Sequence, residues 1–214
     1  LQEKYSQLLE DIIINKALYC TQLDTQQLQG IRAVVMMNQP VIAANAFEYN
    51  QMLKCVYSPN THTVESGAFL ECNFLLSFFS DSLQIVHRGV FDHCTSLSKI
   101  DLSKVTEIGF QSFYCCISLT RINLNSLQQP LPALCFGNCY SLRQIIAKNC
   151  QDWHQHALAD CFNVQITGQG EVVRFQEVYV DGFRERKRMM KVLKNAKIVT
   201  RFLLNGLNLL KKKE

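Results

Sequence analysis

An α/β repeat solenoid, in which short coils stack around one apolar core, is the fold class this sequence predicts, on three observations. A phenylalanine returns every 22 or 23 residues with a cysteine three places after it, in Phe69/Cys72, Phe91/Cys94, Phe113/Cys116 and Phe136/Cys139. Phe47/Asn50 and Leu158/Cys161 are softer copies at the two ends. Further apolar residues keep fixed offsets from that Phe, and two of them alternate as a strand does, one face inward and the next outward. A period in this range marks one small unit stacked on itself, each coil burying its neighbour's apolar side.

Residues 1–19 are expected to form an N-terminal helical cap. Tyr5, Leu8, Leu9, Ile12 and Ile13 recur at helical spacing, with Glu3, Lys4, Glu10 and Asp11 opposite. A repeat array needs such a cap because its end coil would otherwise expose a core edge.

Residues 20–167 are expected to hold about seven coils of 22–23 residues. A worn first coil is carried by Cys20, Leu28, Ile31, Val34 and Met36. In the coils that follow, the place five before the Phe is Ile42, Val64, Val86, Ile108, Leu131 or Trp153. Six after it stand Leu53, Leu75, Leu97, Leu119, Leu142 and Val164, and nine after it Val56, Phe78, Ile100, Ile122 and Ile145. Leu102 and Leu124 complete Leu-x-x-Ile-x-Leu in the two middle coils. One such strand cannot bury its apolar side alone, but stacked neighbours can, at the ~4.8 Å spacing of a sheet.

The string Ile-Gly-x-x-x-Phe-x-x-Cys-x-Ser-Leu-x-x-Ile-x-Leu, carried by Ile108-Gly109, Phe113, Cys116, Ser118-Leu119, Ile122 and Leu124, resembles the BspA-type class of leucine-rich repeats. Val86, Phe91, Cys94, Ser96-Leu97, Ile100 and Leu102 repeat it one coil earlier, and the likeness spans residues 41–167. The departures lie toward the ends: Asn50 for Cys, Leu158 for Phe, and His87 or Pro132 for the Gly at 109. The resemblance implies a right-handed superhelix, with short parallel β-strands on the concave face, short helical turns on the convex side and α-helical caps at both ends. It also implies a protein-interaction module.

Residues 168–214 are expected to be a C-terminal cap. Gly168-Gln169-Gly170 breaks the repeat, and Val172–Val180 reads as one or two strands of a degraded coil. From Arg184 onward a helical wheel separates cleanly. Arg184, Lys187, Arg188, Lys191, Lys194 and Arg201 share one face, and Met189, Val192, Leu193, Ala196, Val199 and Leu203 the other. Residues 184–214 carry 11 Lys and Arg against 2 acidic side chains, whereas residues 1–183 carry 11 against 16. A basic amphipathic helix suits a cap, an anionic membrane surface or an acidic partner, nucleic acid included.

With 48% apolar and 19% charged residues, the composition is that of a folded, soluble chain. The ten cysteines are expected to be free, because the ladder positions point side by side into the core, where a thiol acts as a small hydrophobe. Free thiols and the lack of a visible signal peptide favour the cytoplasm, while members of the family resembled include surface and secreted proteins. No catalytic, metal or cofactor site is expected. Cys94 beside His93 puts the thiol inward and the imidazole outward, and His154-x-His156 lies in a loop away from core-facing Cys161. None of the nine glycines forms a phosphate-cradling loop.

Function is therefore expected on the outward strand positions of the concave face, which would bind a protein partner and no small-molecule substrate. One outward column is Cys55, Ser77, Lys99, Arg121 and Gln144, and the next is Tyr57, Phe79, Asp101, Asn123 and Ile146. The residues singled out are Tyr57, Phe79, Lys99, Asp101, Arg121 and Asn123, since exposed aromatics beside arginine are common makings of a binding hot spot. The alternative places binding on the six basic residues of the C-terminal helix, with the repeats as scaffold.

Overall fold

The computed structural model describes residues 31–150, 152–162 and 164–167 in full, together with the backbone of two strands nearer the start, β1 (Ile12–Ile14) and β2 (Ala17–Cys20). The backbone bonds between successive coils fall into three ladders. The first is built from the Leu-x-x-Ile-x-Leu step. β3 (Ala33–Met36), β5 (Cys55–Tyr57) and β7 (Ser77–Phe79) pair in parallel in one sheet with β2, and β10 (Arg121–Asn123), β11 (Gln144–Ile146) and β12 (Gln165–Thr167) in another. The register matches each coil to its copy, as in Val34↔Val56↔Phe78 and Ile122↔Ile145↔Ile166. Repeat offset and sheet register are thus the same thing.

The second ladder uses the apolar place five before each Phe. β4 (Val41–Ile42), β6 (Thr63–Val64), β8 (Ile85–Val86) and β9 (Glu107–Ile108) form a four-stranded parallel sheet, with Ile42↔Val64↔Val86↔Ile108 in register. An isolated bridge, Leu131↔Trp153, carries the same pairing in later coils.

The third ladder corrects the expectation of helical turns: among the described residues there is no helix. The Phe N–H of one coil donates to the next coil, Phe47 to Ala68 O, Phe69 to Val90 O, Phe91 to Ser112 O, Phe113 to Cys135 O and Phe136 to Ala157 O, at 2.8–2.9 Å. Within a coil, tight turns alternate with these bonds, for example Asn50 N–H to Phe47 O at 3.0 Å. The places two before and two after the Phe have left-handed backbone, as at Asn45 (φ 55°) and Tyr49 (φ 58°), or Leu134 (φ 55°) and Asn138 (φ 57°). Two left-handed residues in every five forbid a continuous right-handed helix. Bonds to the neighbouring coil replace the intrahelical ones that are lost.

The N-terminal helical cap is also corrected where the chain is described. Ile12–Ile14 is a strand, antiparallel to Ala17–Cys20, with Ile12↔Tyr19 and Ile14↔Ala17 opposite each other. Three consecutive β-branched side chains lose rotamer freedom in a helix and fit a pleated pair. β2 then runs parallel to β3, so this hairpin feeds the sheet directly. The expected C-terminal cap, with its strands at 172–180 and its basic helix, lies outside the described residues.

The core is a column of five phenyl rings, Phe47, Phe69, Phe91, Phe113 and Phe136, with centroids 5.0–5.3 Å apart and planes within 21° of parallel. Phe78 packs its edge between Phe69 and Phe91. Beside the rings runs a column of thiols, and each is a donor. Cys72 Sγ bonds Phe47 O at 2.9 Å, Cys94 bonds Phe69 O, Cys116 bonds Phe91 O, Cys139 bonds Phe113 O, and Cys161 bonds Phe136 O. The described cysteines are all free, in line with the sequence expectation. The cysteine is thus more than a filler of the right size, because it ties its own coil to the phenylalanine carbonyl of the one before.

Both sheets are interrupted at neighbouring places. The first ends at β7, apart from the bridge Ser77↔Lys99, and its successor begins at β10. The second ends at β9. In earlier coils the paired donors to this second ladder are His62/Thr63, Gln84/Ile85 and Thr106/Glu107 N–H. The next coil presents Pro130 in that run, which has no N–H to give. The same coil is one residue longer, 23 rather than 22 between Phe113 and Phe136. Strand pairing breaks there while the phenyl column and the third backbone ladder continue, so these two carry the stack across the gap.

Candidate functional site

The parallel register pairs two of the six singled-out residues, and two more share a repeat position across the interruption between the sheets. Tyr57 and Phe79 are directly paired on β5 and β7, with rings stacked at 4.9 Å and 6°. Both are half-buried, so a flat aromatic ledge remains open on the strand face. Burial pushes the Tyr57 phenol above its ordinary value, and the Asp81 carboxylate adds to this, so the ring stays neutral. Lys99 and Arg121 hold the same repeat position one coil apart, and both are exposed.

Asp101 and Asn123 are placed differently from what exposure alone suggests. Asp101 Oδ1 accepts the Ser103 N–H at 2.9 Å, and Asn123 Oδ1 accepts the Asn125 N–H at 3.1 Å. Each side chain turns its own strand end, as Asp and Asn do in local turns. Only part of each polar group is left for another molecule. Lys99 and Asp101 also border the interruption between the two sheets, with Arg121 and Asn123 on its far side.

The outward column is shorter than its sequence suggests. Cys55 and Ser77 are buried, and burial raises the Cys55 thiol above its ordinary value. The open part of that column starts at Lys99. Sequence reasoning also missed the rim just past the strands. Lys104 Nζ donates to Asp81 O at 2.7 Å, Ser126 Oγ to Ser103 O and Asn149 Nδ2 to Asn125 O, each reaching back one coil. The signal was available, since these residues share one offset, thirteen after the Phe. No single residue type repeats there, however.

The pairs considered for chemistry are held apart. Cys94 is buried and bonds Phe69 O, while His93 stands at the surface with Nδ1 2.7 Å from Asp92 Oδ1. His154 and His156 are exposed with ring centroids 5.6 Å apart, and Cys161 bonds Phe136 O. Arg184, Lys187, Arg188, Lys191, Lys194 and Arg201 lie outside the described residues. The arrangement on the strand face can offer an apolar ledge, two exposed cations and a hydrogen-bonded rim.

Residues 40–165 match, in six copies, the family model described as the BspA type leucine rich repeat region. A search of curated proteins found no match. Among solved structures, the leucine-rich repeat protein of T. pallidum superposes with a TM-score of 0.53 at 22% identity, over 66% of this chain and 69% of that one. A leucine-rich cell surface protein from Faecalibacterium prausnitzii gives 0.50 at 19% identity, over 75% of this chain and 53% of that one. The pneumococcal vaccine antigen PcpA gives 0.54 at 15% identity, over 72% of this chain and 39% of that one. At these identities the likeness is one of fold.

Proposed function

Since the chain belongs to the BspA-type leucine-rich repeat family, we propose that it is a non-catalytic interaction module that binds a protein partner through the concave strand face. The observation that carries this reading is the Tyr57–Phe79 stack: two large rings in contact, neither withdrawn into the core. The phenyl column shows what this fold does with rings it uses for stability, since Phe69 and Phe91 are fully buried. A rigid, amphipathic aromatic surface beside exposed cations is well suited to anchor a partner at little cost in side-chain entropy.

Tyr57→Ala with Phe79→Ala tests it. Affinity capture with the wild-type chain should retain a partner that the double variant does not. The variant's melting temperature should fall only by about 2–4 °C, the shift expected of ~1 kcal/mol in a chain of this size. Unchanged capture together with a much larger drop in melting temperature would make the pair a structural element and remove the strand face from consideration.

A further inference from the structure

Charge is sorted around the described solenoid taken as a whole, although the strand segment of the Phe69 coil carries Asp81 and no cation. Residues 31–167 carry eight Lys and Arg and nine Asp and Glu, close to neutral. Seven of those eight cations lie in the strand segments, taken as the seven residues that begin seven places after each Phe, or after Thr25 in the first described coil, against only two carboxylates, Asp81 and Asp101. The remainder of each coil, with the second sheet and the turn ladder, holds the other seven carboxylates and a single cation, Arg88. Near neutrality of the whole conceals a basic strand side and an acidic opposite side.

Part of the acidic side lies beside histidines of the chain. Asp92 Oδ1 is 2.7 Å from His93 Nδ1, and Glu65 Oε2 is 3.6 Å from His87 Nε2. On the basic side, Lys99 and Arg121 make no ion pair among the described residues. Two like charges one coil step apart, a step of 5.3 Å at the Phe91 and Phe113 rings of the same two coils, repel each other. An anion placed between them relieves that repulsion.

We propose that the strand face takes an acidic protein segment, with carboxylates against Lys99 and Arg121 and an apolar side chain on the Tyr57–Phe79 ledge. This rests on the strand face being the binding face. From the ring of Phe79 to Arg121 is two coil steps, ~10 Å, which an extended chain covers in about three residues. The segment would therefore read as a large apolar residue followed within two to four places by two acidic ones. A protein segment is favoured over a nucleic acid because Asp81 and Asp101 interrupt the cations and would meet a continuous run of phosphates.

The test uses the full chain and a phage-displayed library of random dodecapeptides. The best selected peptide is then synthesised with a fluorophore and titrated by anisotropy. Selected sequences should be rich in Asp and Glu around an apolar residue. Binding should weaken about tenfold in Lys99→Glu/Arg121→Glu and fall with added salt, as exposed charge pairs do. Circular dichroism should be unchanged, since both residues are exposed.

Peptides of neutral or basic composition whose binding still depends on Tyr57 and Phe79 would overturn the acidic assignment and leave the binding face standing. Binding that depends on neither pair, or no enrichment at all, would overturn both. Displacement of the peptide by an equal concentration of single-stranded oligonucleotide would reassign the cations to nucleic acid. A concentration-dependent dimer of the wild type that Lys99→Glu/Arg121→Glu dissolves would reassign the face to a second copy of the chain. Either of these also overturns the proposal.

Discussion

The coil built on Phe113 and the coil built on Leu158 share one register and differ in what surrounds them. Ile122, Ile145 and Ile166 are paired side by side on β10, β11 and β12, yet they are 2%, 0% and 47% exposed. Phe113, Cys116 and Leu119 are fully buried, whereas their counterparts Leu158, Cys161 and Val164 are only partly so. Exposed Phe162, at 62%, stacks on Tyr140 where earlier coils carry Gln51, Asn73, Thr95 and Ile117. The repeat motif therefore specifies a direction for each side chain, and burial is conferred by the coil on either side. In a quasi-one-dimensional protein most of a coil's stability resides at its interfaces with its neighbours.

The largest consequence concerns the thiols. Burial pushes Cys72 and Cys135 up to about 12 and holds Cys94 and Cys116 well above the ordinary thiol value of 9.0. Below pH 9 these thiols are protonated folded or unfolded, and their contribution to stability is fully present. As pH rises past 9, the unfolded chain releases their protons while the folded chain retains them. Stability then falls by ~1.4 kcal/mol per thiol for each pH unit until the folded values are reached. In the last described coil, Cys161 shifts the other way, because the Cys139 thiol can turn from Phe113 O to bond its thiolate. Denaturant midpoints measured from pH 8 to 11 should drop steeply. Replacing Cys94 and Cys116 by Ala should flatten that slope by about two thiols' worth, and Cys161→Ala should not flatten it. Equal flattening by both would erase the distinction between the coils.

How much of this was legible beforehand depends on which interaction decides it. The period, the strand step and the inward columns follow from apolar residues at fixed offsets, and Phe113, Ile122 and Leu124 are where that pattern puts them. The left-handed turns were not legible, because Tyr49, Glu71 and Leu134 are not residue types that favour such backbone. Their φ is set by bonds to the next coil, a relation that local propensity does not encode. Helical spacing in Tyr5–Ile13 was a genuine pattern, but Ile12–Ile14 had a pairing partner in Ala17–Cys20 that periodicity alone could not reveal. At the strand face, the Tyr57–Phe79 neighbourhood followed from register. The burial of Cys55 and Ser77 did not, since an outward direction says nothing of what lies above it.

A second test compares the two coils by volume. Phe113→Ala removes a ring stacked on both sides, against Phe91 and Phe136, and should cost about 3–5 kcal/mol by denaturant unfolding. Leu158→Ala, at the same offset in a partly open coil, should cost about 1–2 kcal/mol, below the usual range for a fully buried leucine. Comparable losses would mean that the last described coil is as tightly bound to the stack as the middle ones.

The smallest effect distinguishes the thiols by access, with little change in stability. Reaction with a thiol reagent requires both thiolate and an approach path. Cys94 and Cys116 offer neither, being buried, raised in pKa and committed to Phe69 O and Phe91 O. Cys161 is half-buried with its pKa lowered, and Cys115 is half-buried off the ladder altogether. Under native conditions at pH 8, mass-resolved alkylation should, among the cysteines of residues 31–167, modify Cys161 first and Cys115 next. Cys94 and Cys116 should stay unmodified until denaturant is added. Prompt alkylation of Cys94 at the rate of Cys161 would show that the middle coils open as readily as the last one. The thiol-to-carbonyl bonds would then be too weak to tie one coil to the next, and the difference between the two regions would lie in exposure alone.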